Sequence, residues 1–153
     1  MADDTHDRIP GYLGAMTAFG ASIVVTALAG RARGKQLPDS FAASDLLLGA
    51  VATHKFTRVL AKDAVATPIR APFTEFEKPL GSGEVEDKPK DDRPLHTIGE
   101  LLTCPFCLAP WTATAYVAGL ALAPRAARAW AAVFAIVGGS DALQQVYGRL
   151  RTG

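Results

Sequence analysis

Charged and apolar residues alternate in blocks along this chain, with a period far longer than a helix turn or a strand pleat. From Gly11 to Gly30 there are twenty residues without a charge. An α-helix rises about 1.5 Å per residue, so such a run covers the roughly 30 Å hydrocarbon core of a bilayer. This predicts a transmembrane helix A over residues 10–30, after an acidic tail over 1–9 that includes His6. A cleaved signal peptide is the rival reading. Ala27-Leu28-Ala29 resembles a cleavage site, but a leader wants a basic start and this one is acidic.

The next block, 31–61, holds a basic link (Arg31, Arg33, Lys35) and helix B. Pro38, Asp39 and Ser40 mark a turn, with Ser40 the expected N-cap. Helix B opens apolar (LLLGAVA) and ends with His54, Lys55 and Arg58, followed by Lys62. At about 100° per residue these four share one face. Helix B is therefore expected either to span or to lie in the interface with that face toward lipid headgroups.

Residues 62–103 form a long polar loop. Prolines at 68 and 72 argue against a helix there. Phe73 and Phe76 are apolar enough to dip into the interface. Residues 81–94 (GSGEVEDKPKDDRP) have the composition of a mobile linker. Thr97-Ile98-Gly99-Glu100 matches a capping box and predicts a short helix from Thr97. Residues 104–148 read as an antiparallel transmembrane hairpin of helices C and D, since the link at Pro124 is very short. Ala115, Gly119 and Ala123 on C are expected to pack against Gly138 and Gly139 on D. A basic tail, 149–153, closes the chain. The predicted fold class is all-α, an integral membrane protein of three or four membrane-associated helices.

Composition sharpens this picture more than it creates it. The chain has 153 residues, 49% hydrophobic and 20% charged, which would suit a soluble domain. Yet 15 of the 31 charged side chains lie between Lys62 and Glu100. The net charge of +1 argues against nucleic acid as a partner. Two cysteines are too few for a disulfide-stapled secreted domain.

Lys and Arg concentrate in cytoplasmic loops. With four spans, the two termini and the long loop share a side carrying nine of them, against five in the two short links. With B interfacial the split is thirteen to three, which favours A, C and D spanning, the N-terminus outside and the C-terminus inside. Both arrangements put the long loop in the cytoplasm. The local charges around A alone favour a four-span form with the N-terminus outside, which would put the long loop on the other face.

Candidate chemistry centres on Cys104-Pro105-Phe106-Cys107. At a helix start the dipole and unpaired N–H groups stabilise a thiolate, and Cys-x-x-Cys spacing lets the sulfurs pair. The string resembles the active-site motif of glutaredoxins over four residues, without their βαβ surroundings. Three readings stay open: thiols packed at the interface, half of a zinc site with His96 as third ligand, and a redox pair. A membrane disulfide relay usually needs a second cysteine pair, and the chain has none. No cofactor is expected apart from that possible zinc, and any enzymatic role would be thiol-disulfide exchange. Asp141 and Asp45 are candidate intramembrane polar residues, each with an interfacial alternative. His54, Lys55, Arg58, Lys62, Arg70 and Phe73 form a candidate interaction surface for lipid or for a protein partner, which includes a second copy of the chain. P-loop, dinucleotide-binding and metalloprotease motifs are absent from the sequence.

Three stretches taken together are informative: ATHKFTRVLAKDAVATPIRAPFTEFE (52–77), GELLTCPFCLAPWTATAYVAGL (99–120) and Ser140-Asp141-Ala142-Leu143-Gln144. Their order and spacing resemble a family of small bacterial membrane proteins called domain of unknown function 1360, some of whose members are labelled sporulation proteins. The resemblance covers roughly residues 41–148. It implies a multi-helix membrane protein and brings no reaction, cofactor or catalytic residue.

Overall fold

Four long helices and a small polar cap make up the computed structural model, which describes residues 3–35 and 38–152. At 3–7, 93, 94 and 152 it describes the backbone alone. The first two residues, positions 36–37 of the basic link, the last residue of the basic tail and the His6 side chain lie outside the described residues. The elements are α1 (Asp3–Ala32), α2 (Ala43–Lys62), a 3-10 turn (Ala64–Ala66), α3 (Thr67–Arg70), β1 (Thr74–Gly81), β2 (Glu84–Pro89), α4 (Arg93–Thr103), α5 (Pro105–Leu122) and α6 (Pro124–Thr152).

Helices A, B, C and D of the sequence reading correspond to α1, α2, α5 and α6. Three of them, α1, α5 and α6, are long and apolar enough to cross a membrane. Their surfaces are apolar as well: Leu13, Met16, Val25, Leu28, Ile136 and Leu143 are each more than half exposed. The acidic tail does not stand apart, because α1 already begins at Asp3. Ser40 is not the cap of α2; the helix starts after Ala42, without a side-chain cap.

Side-chain contacts fix the helix directions. Arg8 and Tyr12 bond Glu100, Phe19 meets Trp111 edge-on at 5.0 Å between ring centres, and Gly30 lies against Leu122. So α1 runs parallel to α5. Asp45 bonds Arg128, Gly49 lies against the Tyr116 ring, Gly138 packs on Val51 and Lys55, and Lys55 pairs with Asp141. So α2 runs antiparallel to α5 and parallel to α6. Both described chain ends therefore lie on the side of the helical layer that carries the cap.

This is not the geometry of an interfacial helix B between three spans, which would make α1 and α5 antiparallel. The physical reason is that the polar groups of α2 find partners inside the protein and need no headgroups. The buried cluster Ala52, Tyr116, Leu120, Ala127 and Ala131 ties α2, α5 and α6 together, with Phe41, Leu48, Trp130 and Phe134 packed around it. Phe56 meets Trp130 and Phe134 at 5.2 and 4.9 Å, both edge-on, the favoured arrangement for aromatic rings. Of the expected small-residue contacts, Gly119 does pack on α6, at Ala127, whereas Gly138 faces α2.

The all-α expectation needs correction in the polar region. The segment read as a mobile linker holds strand β2, paired antiparallel with β1. Ser82 and Gly83, at φ 54° and 79°, make the two-residue turn with positive φ at both positions that suits the strand twist. Lys88 pairs with Glu75 at 3.2 Å and Lys78 with Glu86 at 3.1 Å, each directly across the ladder. Hydrogen bonding to Glu86, helped by its charge and that of Glu77, raises the Lys78 pKa above the usual lysine value. Residues 67–70 are one turn of helix despite Pro68, because proline fits the first turn of a helix. The capping-box reading also fails: α4 starts at Arg93, after Asp92, and Thr97 lies inside it.

Candidate functional site

The cap is organised around one fully buried cation. Arg70 ends α3 and is 0% exposed. Its Nε donates to Asp87 Oδ2 at 2.7 Å, and its Nη1 donates to the carbonyls of Leu60 (2.8 Å) and Asp63 (3.0 Å). One side chain thus ties the end of α2 to strand β2. The hairpin tip returns to the same place: Ala64 N–H donates to Gly83 O at 2.8 Å, and Arg58 grips Glu84 through two bonds of 2.6 and 2.7 Å. Lys90 Nζ donates to the carbonyls of Ala71 and Pro72. Gly99 of α4 sits against Phe73 O and Pro89, too close for a side chain.

The expected interaction surface is therefore largely spent inside the protein. Arg70 is buried, which corrects its reading as a docking residue. Lys55 is 9% exposed and bonds Asp141 at 2.8 Å and Asp63 at 3.5 Å. Arg58 is taken by Glu84. His54 is exposed, while Lys62 and Phe73 are half-buried.

The two acids singled out along the chain are both paired. Asp45 accepts two bonds from Arg128, at 2.7 and 2.8 Å. Tyr116 OH donates to the Asp45 carbonyl. From Arg128 to Asp141 there are thirteen residues of α6, roughly 20 Å of helix. Two ion pairs thus bracket an apolar slab, and Asp141 sits at the cap end of it. Sequence reasoning named Lys55 and Asp141 without pairing them, named one partner of each other pair, and missed Arg128, Asp87 and Glu84. Each lies 17 to 83 residues from its mate, beyond the reach of a local pattern.

Cys104 and Cys107 are joined as a disulfide. Cys104 closes α4 and is the N-cap of α5, where its Sγ accepts the Cys107 N–H at 3.1 Å. Pro105 takes the first helical position, which needs no N–H. Cys107 is exposed, Cys104 is half-buried, and Phe106 between them is 88% exposed. His96, the suggested third zinc ligand, is held elsewhere. Its Nδ1 lies 2.9 Å from Lys90 O, so Nδ1 carries the proton, and its Nε2 faces Glu100 at 3.4 Å without hydrogen-bond alignment. Among the described residues, no three His, Cys, Asp or Glu side chains gather to hold a metal ion. Glu100 joins α4 to α1, accepting Arg8 and Tyr12 at 3.0 and 2.9 Å.

The family profile described as protein of unknown function (DUF1360) matches residues 47–147. The chain belongs to that family. The DUF1360 region takes in nearly all of α2, the cap, α5 and most of α6, and leaves α1 outside. The buried Arg70–Asp87 pair, the Lys55–Asp141 pair and both cysteines fall within it. Comparison with curated proteins and with solved structures gives no significant match.

Proposed function

We propose that this DUF1360 protein is a multi-pass membrane protein that works as an interaction or accessory subunit through its cap. All four long helices cross the bilayer in this reading. Eleven of the sixteen Lys and Arg residues then lie at the cap end, Lys55 and Arg58 among them, which makes the cap and both termini cytoplasmic. The observation that carries the reading is the Arg70–Asp87 pair. Burying a charge is costly unless it is paired and hydrogen-bonded. A polar segment organised in that way is an ordered platform, whereas a tether would leave its charges in water. The platform exposes Val65, Ile69, Phe76 and Leu80 at 81%, 55%, 61% and 47%, and these supply the apolar contact. The test is a photo-crosslinking amino acid at position 76 or 69 in the full chain in cells. A discrete protein adduct, including a dimer of this chain, is the expected result. Adducts to lipid alone refute the reading.

The cysteine pair favours a second reading, thiol-disulfide exchange with a partner dithiol. A partner thiolate attacks the exposed Cys107 Sγ and Cys104 leaves as a thiolate, stabilised by the N-terminus of α5. The second partner thiolate then resolves the mixed disulfide. Cys104 and Cys107 end as two thiols and the partner as a disulfide, with two electrons moved and two protons taken up by the leaving thiolates. Labelling cells with a membrane-permeant thiol reagent, before and after reduction, tests this. Thiols that stay unreactive after reduction, or Cys104→Ser/Cys107→Ser without phenotype, remove it.

A further inference from the structure

Helices α1 and α5 touch at Phe19–Trp111 and again where Gly30 meets Leu122, and they part between these points. The gap is a cleft of about 570 Å³, within the size range of ligand sites. Ile23, Ala27, Val117 and Ala121 line it, and Arg31 and Lys35 stand at its end. Both cations are exposed, and neither has a hydrogen-bond or ion-pair partner for its side chain among the described residues.

Local backbone geometry explains why they are available. Gly34, at φ 65°, ends α1 in a Schellman turn: Lys35 N–H donates to Gly30 O at 2.9 Å and Gly34 N–H to Arg31 O at 3.0 Å. The carbonyls of Ala29, Gly30 and Arg31 are satisfied by backbone, and neither cation is used to cap them. An apolar cleft with two unpaired cations at its mouth complements one kind of molecule found in a bilayer. We infer that the α1–α5 cleft binds an anionic phospholipid, with an acyl chain along Ala27 and Ala121 and the phosphate between Arg31 and Lys35. Basic pockets between spanning helices bind anionic headgroups for the same electrostatic reason.

This inference rests on the membrane reading above, and the experiment separates the two. The full chain is mixed with vesicles and floated. The protein that floats is solubilised in mild detergent with equal amounts of phosphatidylglycerol and phosphatidylcholine, and retained lipid is read by native mass spectrometry. Each cation near an anionic headgroup is worth about fivefold, so a preference of about 25-fold for phosphatidylglycerol is expected from the two. Arg31→Gln/Lys35→Gln should bring the ratio to about one, while Arg33→Gln, outside the cleft lining, should leave it unchanged. Ala121→Phe should fill the cleft and abolish retention of both lipids at unaltered far-UV circular dichroism. Equal retention by the natural protein, or a preference that survives the double substitution, overturns the lipid site and leaves the membrane reading standing. Failure to float overturns both.

Discussion

Asp87→Asn tests whether the cap is built on its buried ion pair. The substitution keeps the shape of the side chain and an oxygen acceptor and removes the charge. Arg70 is then left cationic at 0% exposure with neutral acceptors alone, the Asn oxygen and the carbonyls of Leu60 and Asp63. Breaking a buried pair in this way costs about 3–5 kcal/mol. The hairpin has little to set against that loss. A two-stranded hairpin is marginal by itself, and exposed cross-strand ion pairs such as Lys78–Glu86 contribute roughly 0.2–1 kcal/mol each. The cap should therefore open locally while the long helices stay in place. Amide hydrogen exchange of the full chain in detergent reads this segment by segment. A loss of about 3 kcal/mol corresponds to acceleration on the order of 100-fold across residues 74–89, with α5 and α6 unchanged. Arg70→Met/Asp87→Leu removes both charges and should recover most of the protection. If Asp87→Asn exchanges within about threefold of the natural protein, the cap does not depend on this pair.

The helix directions predict that a compartment-sensitive reporter gives the same answer at the N- and C-termini; opposite answers refute the crossing of α2 with α1, α5 and α6. Lys55→Met and Asp141→Leu should couple, so that the double variant is less destabilised than the sum of the single ones by about 1–3 kcal/mol in denaturant titration. Additive effects would mean that the 2.8 Å contact carries no net energy. Tyr116→Phe removes the hydroxyl that bonds the Asp45 carbonyl and should cost about 1 kcal/mol by the same titration, with no change in oligomeric state.

How much of this was legible in the sequence follows from the range of the interactions involved. The four long helices were visible because chargeless runs such as 11–30 signal a helix residue by residue. The hairpin was not, although Gly81-Ser82-Gly83 is a fair turn signal. Its strands carry Glu75, Glu77, Lys78, Glu86 and Lys88, and the apolar alternation of a half-buried strand is missing. What makes it a strand pair is Asp87, whose partner lies seventeen residues back on α3. The cysteines were found because their partner is local. The basic stripe of α2 was found as a stripe and misread as a surface, since Asp141 and Glu84 lie far along the chain.

That misreading bears on how α2 can cross a bilayer at all. Lys55, Arg58 and Asp45 would each be costly in hydrocarbon. The structure places them at two levels instead. Asp45 meets Arg128 near the α5–α6 turn, and Lys55 and Arg58 meet Asp141, Asp63 and Glu84 at the cap. Between these levels α2 presents Leu46, Leu47 and Val51 outward. In the proposed four-span reading, a helix too polar to be recognised as a span by composition becomes one by pairing, with Asp45, Lys55 and Arg58 each neutralised by a neighbour that folds beside it. Arg128 and Asp141 belong to α6 and Glu84 to the hairpin, so in that reading α2 inserts stably only after both have been made. Truncation after α5 should accordingly leave α2 at the interface, where glycosylation or cysteine-accessibility mapping would find Asp45 and Lys55 on the same side. Finding them on opposite sides in the truncated chain would show that α2 crosses without its partners.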